Sequence, residues 1–225
     1  SVVEMKEKIK SKVVGHKKEK ITTAIPNKPN LFQCWKEIMF AQQEFYVRLD
    51  SKDKYRESSK FFLKIQAIVL ALFLLFFYWM IMMSGIEEIA ASAGISSSLL
   101  LVYVAILLII VFPFILLFSL GMLYLNVGIA HLFVLLFNGK EGYAETYKVM
   151  AYSTSPNIFA MIPFVNWFSG VYVLVLQVIG IKIRQKLGWA KSIAVIIIPM
   201  AIILSIVFIL YLKYVWPLIL AAGVQ

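Results

Sequence analysis

Cysteine occurs once in the 225 residues, at Cys34, which excludes an internal disulfide framework and any multi-cysteine metal centre. Histidine occurs twice, at His16 and His131, and no stretch carries the paired His or His-Glu spacing that zinc or haem ligation needs. Charge is scarce too, at 15% of residues against about a quarter in ordinary globular chains. The glycines are isolated and follow no strand, so no phosphate-binding loop is expected. A Ser-His-Asp set and a Gly-x-Ser-x-Gly elbow are likewise missing. These gaps lead to the expectation of a non-enzymatic protein with no metal and no cofactor.

What is present is apolar. Hydrophobic residues make up 61% of the chain, and the mean hydropathy is +0.85, which points to lipid as solvent. The charges are concentrated in residues 1–60, which hold 14 Lys and Arg against 8 Asp and Glu; the other 165 residues carry 8 and 4. The reading is a basic, flexible tail over 1–30, an amphipathic helix with a charged spacer over 31–60, a transmembrane bundle over 61–216, and an external end over 217–225. In Leu31 to Leu49 the residues Leu31, Trp35, Ile38, Phe45 and Leu49 form one stripe opposite Lys36, Glu37, Gln43, Glu44 and Arg48, the period of an amphipathic helix at the headgroup boundary.

The run from Ile65 to Met83 spans about 28 Å as a helix, close to a hydrocarbon core of about 30 Å. Lys60 and Lys64 at its entry and Glu87 and Glu88 beyond its exit place the N-terminus in the cytoplasm by the positive-inside bias. From Leu99 to Phe137 no formally charged residue occurs, yet a helix of that length runs about 58 Å. Two solutions exist: one long helix bent at Pro113 or Gly121, or two spans with a turn near Ser119 to Gly121. Gathering Lys140, Lys148, Lys182, Arg184, Lys186 and Lys191 on the cytoplasmic side favours the single helix. Residues 145–184 then form a short hairpin turning at Pro163 to Trp167, and Ile193 to Leu212 crosses last, with Pro199 as a kink and the C-terminus outside. Both solutions give five spans and an all-α, polytopic membrane protein.

Polar groups inside such a chain are functional candidates. His131 is expected to hydrogen-bond a neighbour at the cytoplasmic end of the long helix, since a proton relay would need an intramembrane carboxylate partner. Asn126 lies five residues before it. Tyr152, Ser153, Thr154, Ser155, Pro156 and Asn157 open the hairpin, with Gln177 on the return arm. Hydroxyls and amides at a Pro break either line a substrate path or satisfy carbonyls and glue helices. The flanking lysines are explained by topology and anionic lipid headgroups, at about 1 kcal/mol each, so a nucleic acid partner is not expected.

Four stretches taken in order resemble the Yip domain family, membrane proteins that interact with Ypt and Rab GTPases. They are the Phe-rich lead-in Phe40 to Leu49, the loop Asn138-Gly139-Lys140-Glu141-Gly142-Tyr143, the segment Tyr147 to Pro156 continuing to Ile162-Pro163, and Ile179-Gly180-Ile181-Lys182 with Trp189 to Ile193. The likeness covers about 31–213. It departs from the family at the lead-in, where Gln stands for a usual Pro, and in the loop, where Glu141 displaces a Gly. The resemblance implies five spans, a cytoplasmic N-terminus, an external C-terminus, no established enzymatic activity, and in eukaryotic relatives a small GTPase partner in membrane trafficking. Lys and Ile usage points to a prokaryote, hence to its cell membrane. The leading expectation is a membrane scaffold or adaptor meeting anionic lipid or a cytoplasmic partner, with self-association as a homo-oligomer left open. The alternative is a small-molecule or lipid transporter, or scramblase, working at Ser153 to Asn157.

Overall fold

The structure, a computed structural model, describes residues 30–49, 55–83, 86–92 and 94–217. The expected tail up to residue 29, part of the charged spacer and most of the external end lie outside these residues. Contacts divide the chain between Cys34 and Trp35. In the first unit the described residues form the opening turn of a helix, where the Cys34 N–H donates to the Asn30 carbonyl at 3.0 Å.

Among the described residues the regular structure is entirely helical. In chain order the elements are α1 Leu31–Phe40, α2 Gln42–Arg48, α3 Arg56–Met83, α4 Ile86–Ser92, α5 Ser97–Leu136, α6 Tyr143–Tyr152, a 3-10 turn Ser155–Phe159, α7 Val165–Arg184, α8 Trp189–Leu210 and a π turn Tyr211–Val215. The single amphipathic helix expected over 31–49 is interrupted at Ala41, whose φ of −134° and ψ of 41° leave the helical region. Of the stripe, Ile38 and Phe45 are buried and Leu31, Trp35 and Leu49 half-buried, and Tyr46, outside the stripe, is buried as well.

Among the described residues, four helices are long and apolar enough to cross a membrane: α3, α5, α7, and α8 with its π turn. Their outer faces carry Leu72, Ile109, Phe118 and Ile203 exposed, the distribution expected where lipid replaces water. The protein is an all-α polytopic membrane protein. Residues 97–136 adopt the single-helix solution and run through Pro113 and Gly121; 40 residues extend about 60 Å. The outgoing arm of the hairpin, expected as a fifth crossing, has only the ten residues of α6, about 15 Å of helix, before the chain turns. Pro156 near the start of the 3-10 turn ends the α-helical ladder because its ring crowds the preceding residue.

Two Schellman motifs set the lower rim. At the end of α5, Asn138 takes φ 63°, its N–H bonds Leu135 and the Gly139 N–H bonds Val134. After α7, Lys186 takes φ 55° and the Leu187 N–H bonds Lys182 at 3.2 Å. Both use a left-handed residue to satisfy the last carbonyls of a helix. The two rims meet where the Lys140 N–H donates to the Gln185 carbonyl at 3.2 Å. Lys191 reaches the Phe137 carbonyl and Lys182 lies 3.8 Å from the Trp189 ring. The hairpin and loop lysines therefore gather at one end of the bundle, which we call the basic end.

Candidate functional site

A carboxylate and two cations are buried together at the basic end. Glu145 and Lys148 sit one turn apart on α6, so their side chains share a face, and Arg184 closes α7. The Lys148 ammonium donates to Glu145 Oε1 at 2.9 Å, and the Arg184 guanidinium donates to Oε2 from Nε at 2.7 Å and from Nη2. Lys148 is 2% exposed and Glu145 8%. Charges withdrawn from water this far persist only when paired and hydrogen-bonded. Arg184 spends its remaining nitrogen on α2: Nη1 donates to the carbonyls of Tyr46 and Leu49, both at 3.1 Å. Those carbonyls lie at the C-terminal, electron-rich end of α2, where a cation is favoured.

Beside this cluster Gln185, fully buried, sews the two rims together. Its Oε1 accepts from the Glu141 N–H at 3.0 Å, which fixes the orientation of the carboxamide, and its Nε2 donates to Thr146 Oγ1 at 2.9 Å. The same Thr146 hydroxyl is hydrogen-bonded to His131 Nδ1, 2.9 Å away. His131 thus bonds a neighbour at the end of α5.

The polar break at the hairpin is tightly packed. Ser153 donates to the Met150 carbonyl at 2.9 Å, Thr154 to Ala151 at 2.7 Å and Ser155 to Tyr152 at 2.6 Å. Ser153 and Ser155 are fully buried. Each hydroxyl is therefore occupied by a carbonyl three residues back that the broken ladder leaves open. Tyr152 packs its ring between Phe45 at 5.1 Å and Phe61 at 5.0 Å. Asn157 and Gln177 are half-buried, and Asn126 is exposed on α5. The structure joins His131 to Thr146 rather than to the 152–157 segment, and brings Gln177 and Asn126 into no polar cluster among the described residues.

The break does serve as an anchor. The Trp35 indole N–H donates to the Ser155 carbonyl at 3.0 Å, and the Tyr172 hydroxyl donates to the Met39 carbonyl. With Arg184 on Tyr46 and Leu49, these bonds hold α1 from Trp35 onward, and α2, to the hairpin at three places. In the sequence Glu145, Lys148 and Arg184 count only as flanking charges. The one legible signal was the Glu145 and Lys148 spacing of three on a helix.

α1 and α2, so held, form a platform at the basic end; Tyr147, on α6, is fully buried, with its hydroxyl 2.7 Å from Ser59 Oγ and its ring 4.8 Å from Tyr124. Burial pushes its phenol up from 10 to about 12, against the opposing hydrogen bond from Ser59. Because the folded-state value is raised, its contribution to stability is complete below the ordinary phenol range and is lost as pH rises from 10 toward 12. We expect Tyr147→Phe, which cannot titrate, to flatten that alkaline fall in melting temperature followed by circular dichroism in detergent. An unchanged fall would assign it to other groups.

Searches of curated proteins and of solved structures return no match. A family model described as the Yip1 domain matches residues 36–211, a range that begins inside α1, ends just past α8, and takes in the platform, the buried charge cluster and all four long helices. With that match extending over most of its length, the chain belongs to the Yip1 domain family.

Proposed function

We propose that this chain is a non-enzymatic membrane scaffold or adaptor: its long helices anchor it, and the α1–α2 platform at the basic end docks a cytoplasmic protein above an anionic lipid surface. The observation that carries this reading is the three-point attachment of the platform, with Arg184 bridging Glu145 to the carbonyls of Tyr46 and Leu49. A surface fixed in this way binds without first being ordered, which saves entropy on association. Its outer side keeps Phe40 74% and Val47 67% exposed, with Lys36, Gln43 and Glu44 also exposed. The positive-inside bias puts the basic end in the cytoplasm, where the small GTPase class bound by eukaryotic Yip relatives would meet it. The transport reading has less to work with, since the hydroxyls of residues 153–155 are used by their own backbone.

A photo-crosslinking residue at Val47, irradiated in native membranes, should yield an adduct with a protein. The same residue at Ile203, on the exposed face of α8, should yield lipid adducts. Arg184→Ala should lower the Val47 protein adduct by about fivefold or more, the loss of roughly 1 kcal/mol or more of positioning. If Val47 gives only lipid adducts, as Ile203 does, the platform lies in the headgroups and the adaptor reading fails.

A further inference from the structure

A second feature lies away from the basic platform. Where α3 and α5 pack beside the turn following the 3-10 segment, a groove of about 200 Å³ is lined by Gln66, Leu70, Phe73, Leu116, Ser119 and Met161. Phe73 is 52% exposed, so the groove opens on the outer surface of two membrane-crossing helices. Its lining side chains are apolar except Ser119 and Gln66. The Ser119 hydroxyl is already committed, donating to the Leu116 carbonyl at 2.8 Å. Gln66 is different: it is half-buried, it carries two donors and an acceptor, and among the described residues it has no hydrogen-bond partner. A carboxamide placed in hydrocarbon without a partner costs several kcal/mol in the limit of no compensation.

The surroundings say what would satisfy it. Lys60 and Lys64 precede Gln66 on the same helix by about 9 and 3 Å of rise, so the groove starts at the level where the phosphates of one leaflet meet lysine ammoniums. Lys64 is exposed and makes no ion pair among the described residues, while Lys60 holds only the exposed Glu57 at 3.1 Å. A ligand matching the groove carries a hydrogen-bond acceptor at the depth of Gln66, just inside the lysine level where lipid esters lie, and a long apolar chain beyond.

We infer that the groove between α3 and α5 is a phospholipid site: an acyl chain lies along Leu70, Phe73, Leu116 and Met161, and the Gln66 carboxamide donates to the ester carbonyl of that lipid. The lysines, on other faces of α3, mark the level of the phosphates of that leaflet. The occupant is a resident lipid of the leaflet at the basic end, separate from any protein docked on the platform.

The test uses the full chain in nanodiscs containing a phosphatidylglycerol with a photoreactive group in its acyl chain. After irradiation, mapping of the labelled peptides should place the label on the groove segments around Phe73 and Met161 in preference to the exposed α8 face around Ile203. Gln66→Leu, which removes the carboxamide and adds no strain to an apolar helix, should cut groove labelling about fivefold, the worth of one hydrogen bond. Ser119→Phe, which fills the groove, should abolish it, and both variants should leave the Val47 protein adduct intact. Label spread evenly over α8 and the groove means bulk lipid only and overturns the proposal. Groove labelling that persists undiminished in Gln66→Leu also overturns it, because the carboxamide then plays no part.

Discussion

Replacing Glu145 by Gln is expected to lower the stability of the folded bundle by about 3–5 kcal/mol, the cost of removing the carboxylate from a buried ion cluster. The amide keeps the size of the side chain, so packing is not the cause. What is lost is the single carboxylate that Lys148 and Arg184 share, at 2.9 Å from the ammonium and 2.7 Å from the guanidinium Nε. With Lys148 only 2% exposed, water cannot replace it without opening the helix pair. A titration of unfolding in mixed micelles, or the shift of the thermal midpoint, reads the loss directly. Substituting all three residues with apolar ones of similar volume should recover much of it, since a buried ion cluster contributes little net stability over well-packed hydrocarbon. That triple variant would still release the carbonyls of Tyr46 and Leu49 and so would lose platform-dependent crosslinking at Val47. A Glu145→Gln variant that melts within a degree or so of the parent would mean that the cluster is hydrated and does not hold the helices together.

Gly180→Ala is expected to be strongly damaging although it adds only a single methyl group. A Cβ at that position would stand 2.5 Å from Val149 Cγ1 and 2.9 Å from the Tyr46 ring, inside the distance any carbon pair tolerates. The site is where α7, α6 and α2 come together, so relieving the clash forces the platform away from the hairpin. Overpacking of this kind costs about 1–3 kcal/mol. Two comparisons make the outcome decisive. Gly170→Ala, on the same helix, meets nothing within 4 Å and should be neutral or gain up to about 1 kcal/mol, because alanine loses less backbone entropy in a helix than glycine does. Adding Val149→Ala to Gly180→Ala removes both clashing methyls and should restore part of the loss, a non-additivity expected of residues in contact. Equal melting behaviour of the Gly180→Ala and Gly170→Ala proteins would show that the close approach is not needed.

Weaker effects belong to the loop surface. Glu141 is held below the ordinary carboxylate range by its hydrogen bond and charge contact with Lys186. A depressed value contributes stability above the usual carboxylate range and loses it as pH falls through the folded value. The pair is exposed, so this piece is screened by salt.

The family match and the structure agree on what the apolar runs already implied. Hydropathy and charge placement determined a helical membrane protein, favoured one long helix over two spans for residues 99–137, and gathered the hairpin and loop lysines at one end. Each of those follows from transfer free energies, and these are properties of residues in sequence. The amphipathic stripe was legible for the same reason, although the break at Ala41 was not. His131 bonding a neighbour was legible because no carboxylate shares its stretch of chain.

The rest depended on which residues meet. The Ser153 to Asn157 segment was visible as a polar break, but composition cannot distinguish hydroxyls lining a path from hydroxyls bonded to their own carbonyls. Only the folded chain shows the hydroxyls of Ser153, Thr154 and Ser155 donating to carbonyls three residues back. Glu145, Lys148 and Arg184 looked like topology charges because Glu145 and Arg184 are 39 residues apart, and only the folded hairpin brings them to hydrogen-bonding distance. Gln66 went unremarked inside an apolar run for the same reason: its lack of a partner is a fact about its surroundings. The sequence by itself determined that the chain lives in a membrane and which end is basic, since burial in lipid is read one residue at a time. Only the tertiary structure decided which polar groups are satisfied by one another and which are left for a ligand, because pairing depends on distance in space.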